Sequence, residues 1–336
     1  MPDTLGVIKD NRITQILRCP ACKSRLSSEQ PERFLCLNCK MAFPLKNGVA
    51  DFIIYDKEAV EIKSSFQFQW EERFSGRMED RSYCFGEKPE KIIAYINKDI
   101  LNMLPSCSTG KLFLDAGCGS ADKAIHLAKT HPEATVVAFD LSDTVAKSKA
   151  ASRDLANIVF LKADVNRLPF AEGSFDFIMS FGVLHHTSST ELAFKGLAKM
   201  AKATDSAYLV WLYLDPRDDR SRAAYYARRD FWRRFIRGWP YRRVLFLCRL
   251  LTFIYFLPKY LIKSFLLKLF CFKNKGAYPK MKIGQLYRSI YFVLFDNISP
   301  AYQERSRKKD VLAWYGDIGY KNLLTDTYDG LFCGFK

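Results

Sequence analysis

The stretch LDAGCGSADKAIHLA, residues 114–128, decides the fold. Its apolar start reads as the end of a strand and Gly117-Cys118-Gly119 as a tight turn. Ala121, Ile125, Leu127 and Ala128 then recur at helical spacing. A strand that enters a helix through a glycine turn is the opening unit of an open α/β sheet, with its ligand crevice beside that turn at the carboxyl ends of the strands.

Outward from this unit, apolar runs and helical segments alternate. Strands are expected at 111–116, 134–140, 157–164, 175–181 and 206–214, and helices at 142–156 and 189–202. Right-handed crossovers between such strands give a Rossmann-like parallel sheet with helices on both faces. A last helix (308–317), a stop at Gly319 and two short strands ending by residue 335 return to the same body. Four parts result: a cysteine-bearing module (1–55), an α/β core (56–214), a basic aromatic insertion (215–295) and C-terminal elements that complete the core (296–336).

The ligand of the turn is read from its acids. A dinucleotide-binding G-x-G-x-x-G pattern needs a third glycine where this chain has Asp122, and a carboxylate there repels a pyrophosphate. Asp140 ends the second strand, 21 residues after Gly119, where a carboxylate can accept both ribose hydroxyls. Asp164 ends the third strand and suits an adenine amine. Together they specify an adenosine and leave the turn for something other than phosphate. A cationic donor such as S-adenosylmethionine meets these demands, because Asp115 beside the turn attracts it.

Three segments sharpen the reading. LDAGCGSA, FDLS (139–142) and LKADVNRLPFAEGSFDFIMSFGVLHHT (161–187) resemble successive motifs of class I adenosylmethionine-dependent methyltransferases, especially the branch acting on small molecules, which includes the ubiquinone and menaquinone C-methyltransferases. The chain departs from that pattern at Ser120-Ala121, where many members carry a third glycine. The resemblance implies that Asp115, Gly117, Cys118 and Gly119 meet the methionine part, Asp140 and Leu141 the ribose and adenine, Asp164 and Val165 the adenine, and Ser180 or Phe181 the inner side of the cofactor. His185 or His186, at the end of the fourth strand, is the expected base or acceptor-orienting group. The lead-in SSFQFQWEERF (64–74) resembles an aromatic segment folded over the cofactor; a helix or strand capping the sheet edge is the alternative. Ser299-Pro300-Ala301-Tyr302-Gln303 resembles an acceptor-side loop, which makes Tyr302 a substrate contact.

At the other end, Cys19-x-x-Cys22 and Cys36-x-x-Cys39 offer four thiolates at a spacing that suits one tetrahedral zinc ion. Residues 19–53 resemble the small zinc-ribbon family found as activator subunits of methyltransferases and fused ahead of them, with Phe43-Pro44 and the Asn47-Gly48 turn included in the match. A closed four-thiolate site implies structural zinc. Docking or stability is the expected task.

Charge isolates the insertion. The net charge is +16, yet residues 217–310 alone hold 23 Lys or Arg against 6 Asp or Glu. From Tyr225 to Trp239, helical spacing puts Phe231, Trp232, Phe235 and Trp239 on one side and Arg229, Arg233, Arg234 and Arg237 broadly opposite. The apolar run that follows is broken by Arg249, Lys259, Lys263 and Lys268, so its longest uncharged piece, Leu250 to Pro258, is far short of the roughly 20 residues of a span. Two compatible readings follow: a helical pair lying in the headgroup layer of an anionic membrane, or a cap on the substrate cleft with solvated arginines. Residues 1–18 carry charges throughout and lack an apolar signal core, so a cytoplasmic chain, peripheral to a membrane surface, is expected. The acceptor is then a small molecule or a lipid-linked metabolite. The competing reading is an RNA methyltransferase that uses ribbon and insertion to hold RNA; against it, the run of Leu, Ile and Phe exceeds what phosphate binding needs.

Overall fold

The computed structural model describes residues 10–28, 32–79, 88–104, 110–215, 217, 223–259, 261–262, 281–325 and 330–336. Helix α1 (Asn11–Ile16), capped by the Asp10 carboxylate, leads into an antiparallel meander of β1 (Leu26–Ser27), β2 (Arg33–Cys36), β3 (Ala42–Lys46) and β4 (Val49–Asp51). Asn47 and Gly48 turn β3 into β4 with φ of 52° and 67°, the left-handed pair that a two-residue hairpin demands. Helix α2 (Lys57–Phe74) starts at Asp56, whose side chain accepts from the Ala59 N–H. The lead-in that alternates Phe66, Phe68 and Trp70 is therefore helical throughout. Helix α3 (Pro89–Tyr95) follows.

The body holds β5 (Leu112–Ala116), α4 (Asp122–Thr130), β6 (Thr135–Asp140), α5 (Val145–Ala151), β7 (Ile158–Lys162), β8 (Phe177–Phe181), α6 (Thr190–Ala198) and β9 (Ala207–Trp211). Both β5 and β6 are buried at every position, as strands covered on two faces must be. The sheet runs β4-β7-β6-β5-β8-β9 in parallel. One apolar cluster lies on each side, around Leu114, Val137 and Ile178 on one and around Phe113, Val136 and Phe177 on the other. The end of the sheet departs from all-parallel: β11 (Leu331–Phe335) is antiparallel to β9, and β10 (Lys321–Leu324) is antiparallel to β11. Too few residues separate those two strands for a parallel crossover.

At the opposite edge the cysteine module is spliced into the sheet. Ala50 and Asp51 of β4 sit opposite Leu161 and Lys162 of β7, and the Phe52 N–H donates to the Lys162 carbonyl at 2.8 Å. Ile13, Leu17, Phe43 and Phe52 belong to the same buried cluster as Leu161 and Phe170.

The insertion packs over the carboxyl ends of the strands. It comprises α7 (Ala223–Phe235), α8 (Tyr241–Leu251) with a π-turn over Thr252–Phe256, and α9 (Ile283–Ile298); α10 (Lys308–Asp317) then returns to the sheet. Ile236, Val244, Leu245 and Cys248 bury against Tyr291, Phe292 and Phe295 of α9 and against Trp70 of α2. The expectation of solvated arginines on α7 is overturned at Arg229, which is 4% exposed and donates to the Asn297 side chain at 2.8 Å. Its neighbours Phe231 and Phe235 face outward, 63% and 55% exposed. Lys263 and Lys268 lie outside the described residues. Among the described residues, no helix is long and apolar enough to cross a membrane.

Candidate active site and zinc site

The turn after β5 is held by its neighbour strand. The N–H groups of Gly117 and Cys118 both donate to the Phe139 carbonyl, at 2.9 and 2.8 Å, and the Gly119 N–H donates to Asp140 Oδ2 at 2.8 Å. Two positions require glycine twice over. Gly117 (φ +77°) leaves no room for a Cβ, which would lie 2.3 Å from Val183, and at Gly119 (φ +55°) a Cβ would lie 2.5 Å from the Trp70 ring. Ala121 adopts φ 58° where the family pattern carries glycine, so the departure seen in the sequence is accommodated at a steric cost of about 1–2 kcal/mol.

Helix α4 begins at Asp122. Its carboxylate accepts from the Ser120 hydroxyl at 2.6 Å and pairs with Arg73 Nη1 at 2.7 Å. The helix start is thus already occupied by the protein's own negative charge, which leaves no role for a pyrophosphate there.

A cavity opens at the carboxyl ends of β5, β6, β7 and β8. Gly117, Cys118, Asp140, Leu141, Asp164, Val165, Phe181 and His186 line it, joined by Ile62, Phe66 and Trp70 from α2, Lys123 from α4 and Asp296 from α9. Asp140 spends one lone pair of each oxygen on the N–H groups of Gly119 and Ser142, and Asp164 accepts from the Asn166 N–H at 2.8 Å. Burial raises the pKa of both carboxyls. Asp115 lies beneath the turn, 2% exposed, with Oδ2 unpartnered among the described residues; burial pushes its pKa up to about 7. A buried carboxylate oxygen without a donor, two further acids at strand ends and apolar walls fit an adenosylmethionine. The cation would satisfy Asp115, and Asp140 and Asp164 retain lone pairs for hydroxyl and amine donors.

The two histidines separate. His186 lines the cavity, its ring edge-on to Phe66 at 5.0 Å. Nδ1 lies 3.0 Å from the Tyr302 carbonyl, which can only accept, so Nδ1 carries the proton and Nε2, buried and unpartnered among the described residues, keeps its lone pair. Burial lowers its pKa, against the nearby Asp296, so the ring is neutral at pH 7. His185 stands elsewhere: it stacks on Tyr213 at 4.0 Å, does not line the cavity, and burial lowers its pKa far below the usual value. Ser180 is also turned inward, its hydroxyl donating to the Ala116 carbonyl at 3.0 Å, while Phe181 lines the cavity. The Tyr302 side chain does not line this cavity; its hydroxyl reaches Glu61 at 3.3 Å, and its carbonyl meets His186.

Several site residues escaped the sequence reading. Asp296, 4% exposed, accepts from Gln69 Nε2 and the Tyr213 hydroxyl, each at 2.9 Å. The available signal was a lone acid ending an otherwise apolar helix. Arg73 carried none beyond its place in the aromatic lead-in, whose Phe66 and Trp70 line the cavity.

The four cysteine sulfurs converge within 4.8 Å of one another, with Cys19–Cys39 at 3.5 Å and Cys22–Cys36 at 3.4 Å. Each C-x-x-C loop closes identically: the N–H of Lys23 returns to the Cys19 carbonyl and that of Lys40 to the Cys36 carbonyl, with φ of 61° and 60° at the two lysines. Tetrahedral zinc with bonds of ~2.3 Å sets sulfurs ~3.8 Å apart, so the donor set and its spacing fit the ion.

Strand order, glycine turn and acid set define a class I adenosylmethionine-dependent methyltransferase domain behind a zinc ribbon. Residues 113–204 match the family model described as a methyltransferase domain, and residues 10–48 that of Trm112p-like proteins. Similar curated proteins include the malonyl-[acyl-carrier protein] O-methyltransferase of Legionella pneumophila (34% identity over 90 residues, 26% of this chain and 31% of that one). Others are the demethylmenaquinone methyltransferase of Geobacillus kaustophilus (38% over 79 residues, 22% and 34%) and the 2-heptyl-1-hydroxyquinolin-4(1H)-one methyltransferase of Mycobacteroides abscessus (30% over 140 residues, 38% and 60%). The aligned stretches thus span about a third to three-fifths of these relatives. Among solved structures, magnesium protoporphyrin IX methyltransferase from Synechocystis is similar at 14% identity and TM-score 0.43, covering 83% of this chain and 98% of that one.

Proposed function

We propose that the protein transfers a methyl group from S-adenosylmethionine to a small-molecule or lipid-linked acceptor at an anionic membrane surface. The observation that carries the chemistry is that His186 lines the same cavity as Asp140 and Asp164 while its Nε2 is unprotonated and unpartnered among the described residues. The bound cofactor would supply an activated methyl group whose leaving group is a neutral thioether. The protein's work is alignment and proton removal. Asp140, Leu141, Asp164 and Val165 would fix the nucleoside end, Asp115 and the glycine turn the charged end, and Trp70 and Phe66 close the cavity against water. His186 Nε2 would take the acceptor's proton, and its tautomer is held ready by the Tyr302 carbonyl. His185, stacked on Tyr213, supports the wall.

The membrane part of the reading rests on the outward side of the insertion. Phe231, Phe235, Phe246, Phe253 and Ile254 are exposed beside the exposed Arg228, Arg234, Arg242 and Arg243. Calorimetry with S-adenosylhomocysteine should show binding. Labelled adenosylmethionine should place its methyl group in a lipid or small-molecule extract, and label found only in RNA would reverse the acceptor class. His186→Gln should lower turnover by about 10²–10⁴-fold with the cofactor saturating, whereas His185→Gln should leave the bound-state rate within a few-fold. Equal turnover in His186→Gln and the parent would remove the base.

A further inference from the structure

We infer that the acceptor carries a phosphate or diphosphate group, held by an arginine pocket that adjoins the cofactor cavity; this rests on the methyltransferase reading above. A second cavity lies between the end of α7, the start of α8 and the segment Ile298–Ala301. Arg233, Arg234 and Arg237 line it against a single acid, Glu61. Arg233 Nη2 donates to the carbonyls of Pro300 and Ala301, at 2.9 and 3.4 Å, while Nη1 is buried without a partner among the described residues. The Ser299 hydroxyl, at the same wall, is also buried and unpartnered among them. Three guanidinium groups, one with an edge unpartnered among the described residues, and an unpartnered hydroxyl outnumber the single carboxylate of the wall. Multi-oxygen anions are the ligands that satisfy such a set, because a phosphate accepts from several forked donors at once.

Position ties this pocket to the chemistry. Arg233 grips Pro300 and Ala301, and the next residue, Tyr302, supplies the carbonyl that sets the His186 tautomer. Glu61 of the arginine pocket lies one residue before Ile62 of the cofactor cavity. The Tyr302 hydroxyl meets Glu61 of the arginine pocket at 3.3 Å, while its carbonyl meets His186 of the cofactor cavity. An acceptor anchored by its anionic group at the arginines would pass Tyr302 to present its nucleophile to His186. Trp239 lines the same pocket and is 37% exposed beside the outward Phe235. The apolar remainder of such an acceptor therefore has a surface to follow, which selects an amphiphilic phosphate over a compact one.

The test uses the full chain with inorganic pyrophosphate, octyl phosphate and octanol as probes, read by calorimetry, and S-adenosylhomocysteine titrated in parallel. Octyl phosphate should bind at least ~10-fold tighter than octanol and tighter than pyrophosphate. Arg233→Met should weaken it ~10-fold or more and Arg237→Gln a few-fold, while Arg153→Gln, exposed and outside the pocket, changes nothing. Pyrophosphate binding as tightly as octyl phosphate would assign the site to a free anion and overturn the amphiphile. Probe binding that is insensitive to Arg233→Met and Arg237→Gln, or the same arginines required instead for a short RNA, would overturn the proposal. Homocysteine-nucleoside binding that survives loss of the phosphate probes condemns only the pocket; its absence condemns the methyltransferase reading.

Discussion

The ribbon and the insertion are both additions to one α/β body, and they are joined to it by opposite means. The ribbon shares backbone: β4 extends the sheet past β7, and Phe34 and Phe43 stack toward Phe52 at 5.5 and 5.3 Å inside the common core. The insertion shares side chains: Arg233 Nη2 to the Pro300 carbonyl, Arg249 Nη2 to the Arg77 carbonyl, and Arg305 on the Tyr226 ring at 4.5 Å. The ribbon buries Phe34, Phe43 and Phe52, whereas the insertion buries Tyr291, Phe292 and Phe295 but exposes Phe231, Phe235, Phe246 and Phe253. The difference separates a part that shares the sheet edge from a part that turns apolar side chains outward.

Removing the metal is the strongest test of that contrast. A chelator, or Cys36→Ser, should lower the main calorimetric transition by about 10 °C or more, since structural zinc contributes folding free energy directly. A separate small transition with the main one unmoved would break the contrast, because the ribbon would then be independent. Next in size, Phe52→Ala should cost about 3–5 kcal/mol in denaturant unfolding, from the lost burial plus the cavity left behind.

Asp115 should lead the pH dependence of cofactor binding. Burial pushes its carboxyl up to about 7, and a cationic ligand prefers the ionised form, so adenosylmethionine affinity should rise roughly fivefold as pH climbs from 6 to 7. Asp115→Asn should flatten that rise, and an unchanged slope would assign it to another group. The smallest effect on stability belongs to the insertion's outer face. Phe231→Glu with Phe253→Glu should change unfolding free energy by no more than about 0.5–1 kcal/mol, yet reduce sedimentation with anionic vesicles severalfold. Equal pelleting of parent and variant would sharpen the contrast into a purely internal cap.

The strands from Leu112 to Trp211 were legible because continuous apolar runs bounded by turns leave few alternatives, and the four cysteines because their spacing is itself the geometry. The β4–β7 junction was not. Three residues, Val49-Ala50-Asp51, carry no periodicity, and their pairing is fixed by backbone hydrogen bonds that any residue could make. The facing of α7 was misjudged for a different reason. Aromatic and guanidinium sides both pack well, and buried carbonyls and amides at 297–301 chose the arginines. Helix α9 is apolar almost all round, so its pattern gave no face, and Asp296 became meaningful only once Gln69 and Tyr213 were seen to hold it.

The shared edge also sets an order of events during synthesis. Val49–Asp51 leave the ribosome more than a hundred residues ahead of their partners at Ile158–Lys162. At roughly 5–20 residues per second, the nascent ribbon waits on the order of ten seconds with the outer edge of that strand unpaired. Its brevity and its terminal aspartate are what keep the waiting edge from recruiting a neighbouring chain.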